Sequence, residues 1–267
     1  MVSEYQEKGF VDSALPAKRR ADILRIAKQV GQISVTEMSG RFDVSLDTIR
    51  RDLDVLSEQG LINRIHGGAV PAEGLVTADT PFDQRLNAQH TAKTRIGQAA
   101  VGLISSHETL LINGGSTTLA FAAALGGLSS LTIVTNNLSL PAAVPSQALR
   151  SLYLLGGEIR GGAQITVGPV GFVGAQAISA DTAVIGVGGI TPKGCWTSNL
   201  AEATMMFSMI AAARRAIILA DSSKFGHHAF AKVVSLEQVA VLVTDARPPA
   251  DLMAALEAAE VHVIVAE

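Results

Sequence analysis

The chain has 267 residues, 48% of them hydrophobic and 17% charged, with a mean hydropathy of +0.33 and one cysteine, Cys195. This composition excludes a disordered chain, which needs low hydropathy and high net charge. The single thiol excludes an internal disulfide framework or a Cys-based zinc cluster. A net charge of −3 shows none of the basic surplus that marks nucleic-acid binders as a class.

No apolar run reaches the roughly 18 residues that a membrane-spanning helix needs. Leu119 to Leu128 is short and broken by Gly126 and Gly127. Glu4, Glu7, Lys8 and Asp12 interrupt the place where the apolar core of a signal peptide would sit. A cytoplasmic protein without a membrane partner is expected. Charge is unevenly spread: residues 16–70 hold nine Lys/Arg against seven Asp/Glu, and residues 71–267 hold eleven against fourteen. Texture changes at the same place, through a stretch containing Pro71, Gly74 and Pro81. The expected organisation is a disordered tail over 1–15, a first domain over 16–70, a linker over 71–90 and a second domain over 91–267.

The first domain reads as three helices and a wing. Pro16 suits a helix start, and Ile23, Ile26, Ala27 and Val30 recur on one helical face. Ser34 and Glu37 have capping-box spacing, so a short second helix begins there and runs to about Phe42. Ser45 caps a third helix whose Ile49, Leu53 and Leu56 face inward. Leu61 to Ile65 reads as a strand that turns at Gly67-Gly68. This order is the plan of a winged helix-turn-helix.

The second domain alternates strand and helix. Strands are expected at 109–112, 131–135, 151–155, 182–187, 216–220, 240–244 and 261–265, and helices at 117–125, 200–213 and 250–259. The alternation predicts an α/β domain with a doubly wound, mainly parallel sheet covered on both faces.

The third helix carries the first chemistry. With Ile49 and Leu53 inward, Asp47, Thr48, Arg50 and Arg51 point outward near its N-terminus, next to Ser45. A recognition helix places such residues against base edges in the major groove, where Arg pairs with guanine. Arg64 and His66 on the wing, and Lys18, Arg19 and Arg20 on the first helix, are candidates for further DNA contacts. An ordinary solvated face with i,i+4 pairs such as Arg50 to Asp54 is the alternative for any single arginine; the complete helix, turn, helix and wing favours DNA.

A second set of residues follows the strands. Asn113, Gly114, Gly115, Ser116, Thr117 and Thr118 link a strand to a helix, and a helix N-terminus with glycines and hydroxyls suits a phosphate. Such a sequence is also an ordinary strand-to-helix turn. Asn136 and Asn137, Gly156, Gly157 and Glu158, Gly188 and Gly189, and Asp221, Ser223 and Lys224 also follow strands. Ligands bind outside the carboxyl ends of the strands in open parallel sheets, so these loops converge on one edge. Lys224 supplies a point charge to a phosphate. Trp196, the only tryptophan, stacks on a ligand ring or covers the pocket, or else packs within its own loop.

The stretch "VSLDTIRRDLDVL" at 44–56, followed by "GGAV", resembles the DNA-binding domain of the DeoR family of bacterial transcriptional regulators. The likeness continues through "INGGSTT" at 112–118, "VTNNL" at 134–138, "LLGGEIR" at 154–160, "IGVGGI" at 185–190 and "LADSSKFG" at 219–226, with Arg85, Lys93 and Glu202 also in register. It covers about residues 17–245. The resemblance implies an isomerase- or CoA-transferase-like sensor that binds a phosphorylated sugar or polyol and then releases a repressor of carbohydrate catabolism from double-stranded operator DNA. It implies a homo-oligomer, dimer or tetramer, with no cofactor. Arg85 and Lys93 are expected to bridge linker and sensor. Two positions depart from the family: Asn113 stands where many members have Asp, and Met206 where a Lys often follows the Glu.

Other residues are expected to be structural. Adjacent His227 and His228 do not have metal-ligand spacing, and Cys195 has no base at motif spacing. Met205, Met206 and Met209 are expected in a core or an interface. A rival reading is an active sugar-phosphate isomerase with an appended DNA-binding domain, using Glu202 or Asp221 as base. A transcriptional activator built from the same parts is a third.

Overall fold

A computed structural model describes residues 16–30, 33–59, 61–65, 67–71, 81–168 and 178–267. The expected tail over 1–15, His66 and the stretch 72–80 of the expected linker lie outside these residues. The chain divides into two compact units between residues 76 and 77.

In the first unit the order is α1 (Pro16–Val30), β1 (Ile33–Ser34), α2 (Val35–Phe42), α3 (Leu46–Glu58), β2 (Ile62–Ile65) and β3 (Gly68–Pro71). Ser34 caps α2 by accepting a hydrogen bond from the Glu37 amide at 3.1 Å, as the Ser-x-x-Glu spacing predicts. Asp43, left-handed at φ 51°, ends α2, and Ser45 caps α3 through the Thr48 amide. Ile23, Ile26 and Ala27 pack with Met38, Phe42, Ile49, Leu53 and Leu56 in one buried core. The wing is antiparallel, with β3 between β1 and β2. The two turn glycines have different causes: Gly67 takes φ +76°, whereas a Cβ on Gly68 would overlap the Ile33 carbonyl oxygen.

The second unit begins inside the expected linker. Its α4 (Phe82–Asn87) and α5 (His90–Val101) are both helical before and around residue 90. Phe82 is buried and the Lys93 side chain reaches back to α4 carbonyls, so the second half of 71–90 is folded rather than connecting.

Seven strands form the main sheet: β4 (Thr109–Ile112), β5 (Leu131–Thr135), β6 (Leu149–Leu154), β9 (Ala180–Gly186), β12 (Ala213–Leu219), β14 (Val241–Thr244) and β15 (His262–Val265). Their order is β15-β14-β12-β9-β4-β5-β6 and every pairing is parallel. Successive residues alternate between two cores, as pleating requires. Leu110 and Ile112 of β4 face α5 and α6 (Ser116–Ala123), while Leu111 faces α8 (Leu200–Ala211) and α9 (Ala250–Ala258). Helix α7 (Leu140–Ala143) follows β5. Strand order reverses between β4 and β9, which is the switch point where doubly wound folds open a crevice. Two small additions rise beyond the sheet. One is a hairpin of β7 (Glu158–Arg160) and β8 (Ile165–Val167); the other is an antiparallel sheet of β10 (Gly189–Thr191), β11 (Gly194–Thr197) and β13 (Ala231–Val234).

Candidate functional site

On the first unit, α3 presents Ser45, Asp47, Arg50 and Arg51 to solvent, with Thr48 half-buried among them. The Ser45 hydroxyl is occupied in capping, and it also bonds Thr48 Oγ1 at 2.9 Å. Arg50 pairs with Asp47 at 2.8 Å on the exposed surface, a contact weak enough for a phosphate or base to replace. Arg64 on β2 lies 3.3 Å from Asp54, not Arg50. Leu46 is 43% exposed at the first position of α3 and offers an apolar contact of the kind a thymine methyl accepts. Helical spacing puts it on the same face as Ile49 and Leu53, so no sequence pattern marked its exposure.

Arg19 corrects an expectation. Rather than facing a phosphate, it is buried and donates from Nε to Asp52 of α3 at 2.6 Å, both side chains being under 10% exposed. The pair fixes α3 against α1 and thereby aims the recognition surface. Arg20 is half-buried, donating to the Pro16 carbonyl and standing 3.9 Å from the same carboxylate. Lys18 is exposed.

On the second unit, the loops expected to converge follow the carboxyl ends of β4, β5, β6, β9 and β12. Many of their polar groups bind one another. Asn113 is buried, donates from Nδ2 to the Gly186 carbonyl at 2.9 Å and accepts from the Gly186 amide at 2.8 Å. Its amide thus locks β4 to β9 at the switch point, with one of its two N–H groups and one oxygen lone pair engaged there. Asn136 accepts from the Gly114 amide and donates to the Thr166 carbonyl. The Thr118 hydroxyl turns back to the Asn113 carbonyl. Gly114 is glycine because Ile165 of the hairpin occupies the space a Cβ would fill. Gly157 and Gly189 are likewise pressed against backbone, at Val167 and His227, and Gly188 lies close to Trp196. These glycines serve internal packing rather than ligand approach.

Glu202 accepts from Arg160 of β7 and from the Thr197 hydroxyl. The hairpin is thereby pinned to the start of α8, while Glu158 and Gly156 beside it are exposed. Trp196 donates from Nε1 to the Thr191 hydroxyl at 2.9 Å, and its ring lies 4.0 Å from that of His228. It is a half-buried aromatic packed on strand β11 rather than in a loop.

The remaining groups form a cationic edge. Lys93 is buried, donates to the carbonyls of Arg85 and Ala88, and lies within electrostatic reach of Asp221, Lys224 and Arg85. Burial pushes its ammonium below the ordinary lysine range, opposed by Asp221. Arg85 lies over the Phe82 ring and leaves Nε buried without a partner. Asp221 accepts from the amide and hydroxyl of Ser223. His227, expected to be structural, lies within electrostatic reach of Lys224 and Asp221. Burial and then Lys224 push its pKa down, against Asp221. Its place three residues after Lys224 in one loop was the available signal. Among the described residues Lys224 has no ion-pair partner, and the hydroxyls of Ser116 and Thr117 at the start of α6 have no hydrogen-bond partner. Asn137 is buried with Nδ2 unpaired. Lys93 thus has two further cations, Arg85 and Lys224, and one carboxylate, Asp221, within electrostatic reach. Among the described residues, no cluster of three His, Cys, Asp or Glu is arranged to hold a metal ion, and no helix is long and apolar enough to cross a membrane. Burial pushes the Cys195 thiol up to about 12, which keeps it protonated.

Residues 19–73 match the DeoR-like helix-turn-helix domain and residues 88–246 the DeoR C-terminal sensor domain. The chain is 34% identical to the glycerol-3-phosphate regulon repressor of Escherichia coli (strain K12) over 240 residues, 90% of this chain and 94% of that protein. It is 32% identical to the HTH-type transcriptional repressor CsqR of the same strain over 248 residues, 92% and 94% of the two chains. Among solved structures, a D-ribose-5-phosphate isomerase in complex with phospho-erythronic acid aligns at 19% identity with a TM-score of 0.38. The alignment covers 51% of this chain and 54% of that one, about half its length. An arginine-bearing helix-turn-helix and a parallel-sheet sensor, each matched in its own right and joined in the same order as in full-length relatives, make the chain a member of the DeoR family of transcriptional regulators.

Proposed function

We propose that the chain is a transcriptional repressor of carbohydrate catabolism genes that leaves its operator when a phosphorylated sugar or polyol binds the carboxyl edge of the sensor sheet. The observation that carries the effector class is the surplus of cations there: Lys93 has Arg85 and Lys224 within electrostatic reach against one carboxylate, Asp221, and among the described residues the start of α6 adds two unpartnered hydroxyls. A neutral sugar has no need of that charge, whereas a phosphate gains strongly from it. Operator contact falls to the first two turns of α3 and to Arg64, with a dimer or tetramer reading paired half-sites.

Binding rather than turnover is the reading the carboxylates support. An isomerase needs a base beside a substrate carbon. Glu202 is held by Arg160 and Thr197, Asp221 by Ser223, and position 113 is an amide. The test is a thermal-shift screen pairing phosphorylated sugars and polyols with their unphosphorylated forms, followed by gel shifts. A phosphorylated compound is expected to raise Tm and release DNA, and Lys224→Ala to weaken both effects. Equal responses to the neutral partners would refute the phosphate reading, and turnover in a coupled assay would restore the enzyme.

A further inference from the structure

We propose that Lys93 passes occupancy of the cationic edge to α4, by letting go of that helix's last carbonyls when an anion arrives. The inference rests on the anion-binding reading above. An ammonium out of water must find acceptors, and those of Lys93 are the carbonyls of Arg85, in the last turn of α4, and of Ala88, its C-cap. They lie at the negative end of a helix, where a cation is most favourable. Little else holds α4. It has six residues, no side-chain cap at Pro81 and one buried side chain, Phe82. So short a helix does not persist on its own propensity; Lys93 serves as its C-terminal clamp.

The same ammonium faces the edge. Asp221, Lys224 and Arg85 all act on it, yet among the described residues no ion pair ties it to Asp221. A phosphate oxygen beside Lys224 offers it a charge-assisted bond, stronger than one to a neutral carbonyl. Once drawn away, it leaves the α4 carbonyls unpaired, and the helix loosens. Helix α4 is the first described element after residues 72–80, through which the sensor continues covalently from the helix-turn-helix. Order in α4 therefore decides how firmly that connection is anchored. Lys93 is a positioning residue in this scheme: it acts on DNA through α4.

The test uses the full-length chain, without ligand, on a duplex selected by the wild-type protein from random sequence. Lys93→Met keeps the length and the apolar stem but removes the donors. It is expected to weaken duplex binding tenfold or more and to raise amide exchange across 82–88 by a similar factor, with exchange in α3 unchanged. Phe82→Ala loosens α4 from its other side and is expected to give the same pair of changes. Both are measured at a temperature where circular dichroism matches the wild type, since a role confined to packing lowers Tm but not the affinity of the folded protein. Wild-type affinity in either variant, or unchanged exchange over 82–88 in Lys93→Met, overturns the proposal. If both variants weaken binding but no phosphorylated compound binds in the screen, the anionic trigger is overturned while the clamp stands.

Discussion

Asn113 sits where the strand order reverses, and its amide faces a main-chain donor and a main-chain acceptor of the same residue, Gly186. Only a side chain with one of each can answer both, which gives a physical reason for an amide at this position. Asn113→Asp replaces the donor with a second acceptor aimed at the Gly186 carbonyl. The expected cost is about 1–3 kcal/mol, that of a buried polar group left unmatched, read by urea unfolding; wild-type stability would show that the clamp carries no load. His227 gives a pH prediction at the same scale. Its folded pKa lies below the ordinary value because of burial and Lys224. As pH falls, the unfolded chain therefore takes the proton first, so this contribution is complete above about pH 7 and is lost as pH drops through about 6.5 toward the folded pKa. Tm is expected to fall between pH 7.5 and 5.5, and His227→Gln to reduce the slope. A slope that His227→Gln leaves untouched would assign the effect to other groups.

At the scale of elements, the inner strands of the main sheet were legible because a parallel strand covered on both faces is a continuous apolar run, and the edge strands β6 and β15 by their place in the alternation. The hairpin β7–β8 and the sheet β10-β11-β13 were not. Their strands are three or four residues long, too short for a pattern to show, and β13 meets β11 only after α8 and β12 have intervened. The linker was overextended because Pro81 and polar residues mask a helix as short as α4. Arg19 was misread for a related reason: the run Lys18-Arg19-Arg20 looks like a solvated basic face. Yet Arg19 precedes Ile23 by four, and Asp52 falls between Ile49 and Leu53, so helical spacing puts both on the buried stripes. The loop motifs point to one edge of the sheet, but not to which of their polar groups bind one another, since hydrogen-bond partners 22 and 73 residues apart leave no local pattern. Capping was legible and is open to test. Ser45→Ala removes the acceptor for the Thr48 amide at the start of α3. The expected loss is about 1 kcal/mol, with Ser45→Gly costing only a few tenths. Thermal unfolding of the two variants checks the order, and an Ala variant no worse than Gly would contradict the cap.

For the whole molecule, the net charge of −3 conceals a division of labour. Residues 16–70 carry a surplus of two positive charges, and residues 71–267 an acidic balance. Part of that small surplus is already engaged: Arg19 is buried against Asp52, and Arg25, Arg50 and Arg64 each face an acidic partner. One unit of this kind neutralises few phosphates, so its sequence-independent affinity is low and its salt slope shallow. In the proposed dimer or tetramer, tight binding then comes from two units held together, where the second half-site is engaged at high effective concentration. The full-length chain is therefore expected to bind a duplex with two half-sites at least about a hundredfold more tightly than one in which a half-site is scrambled, within the avidity range. Fluorescence anisotropy at fixed salt measures the ratio, and a protein indifferent to the second half-site would show that a single helix-turn-helix suffices.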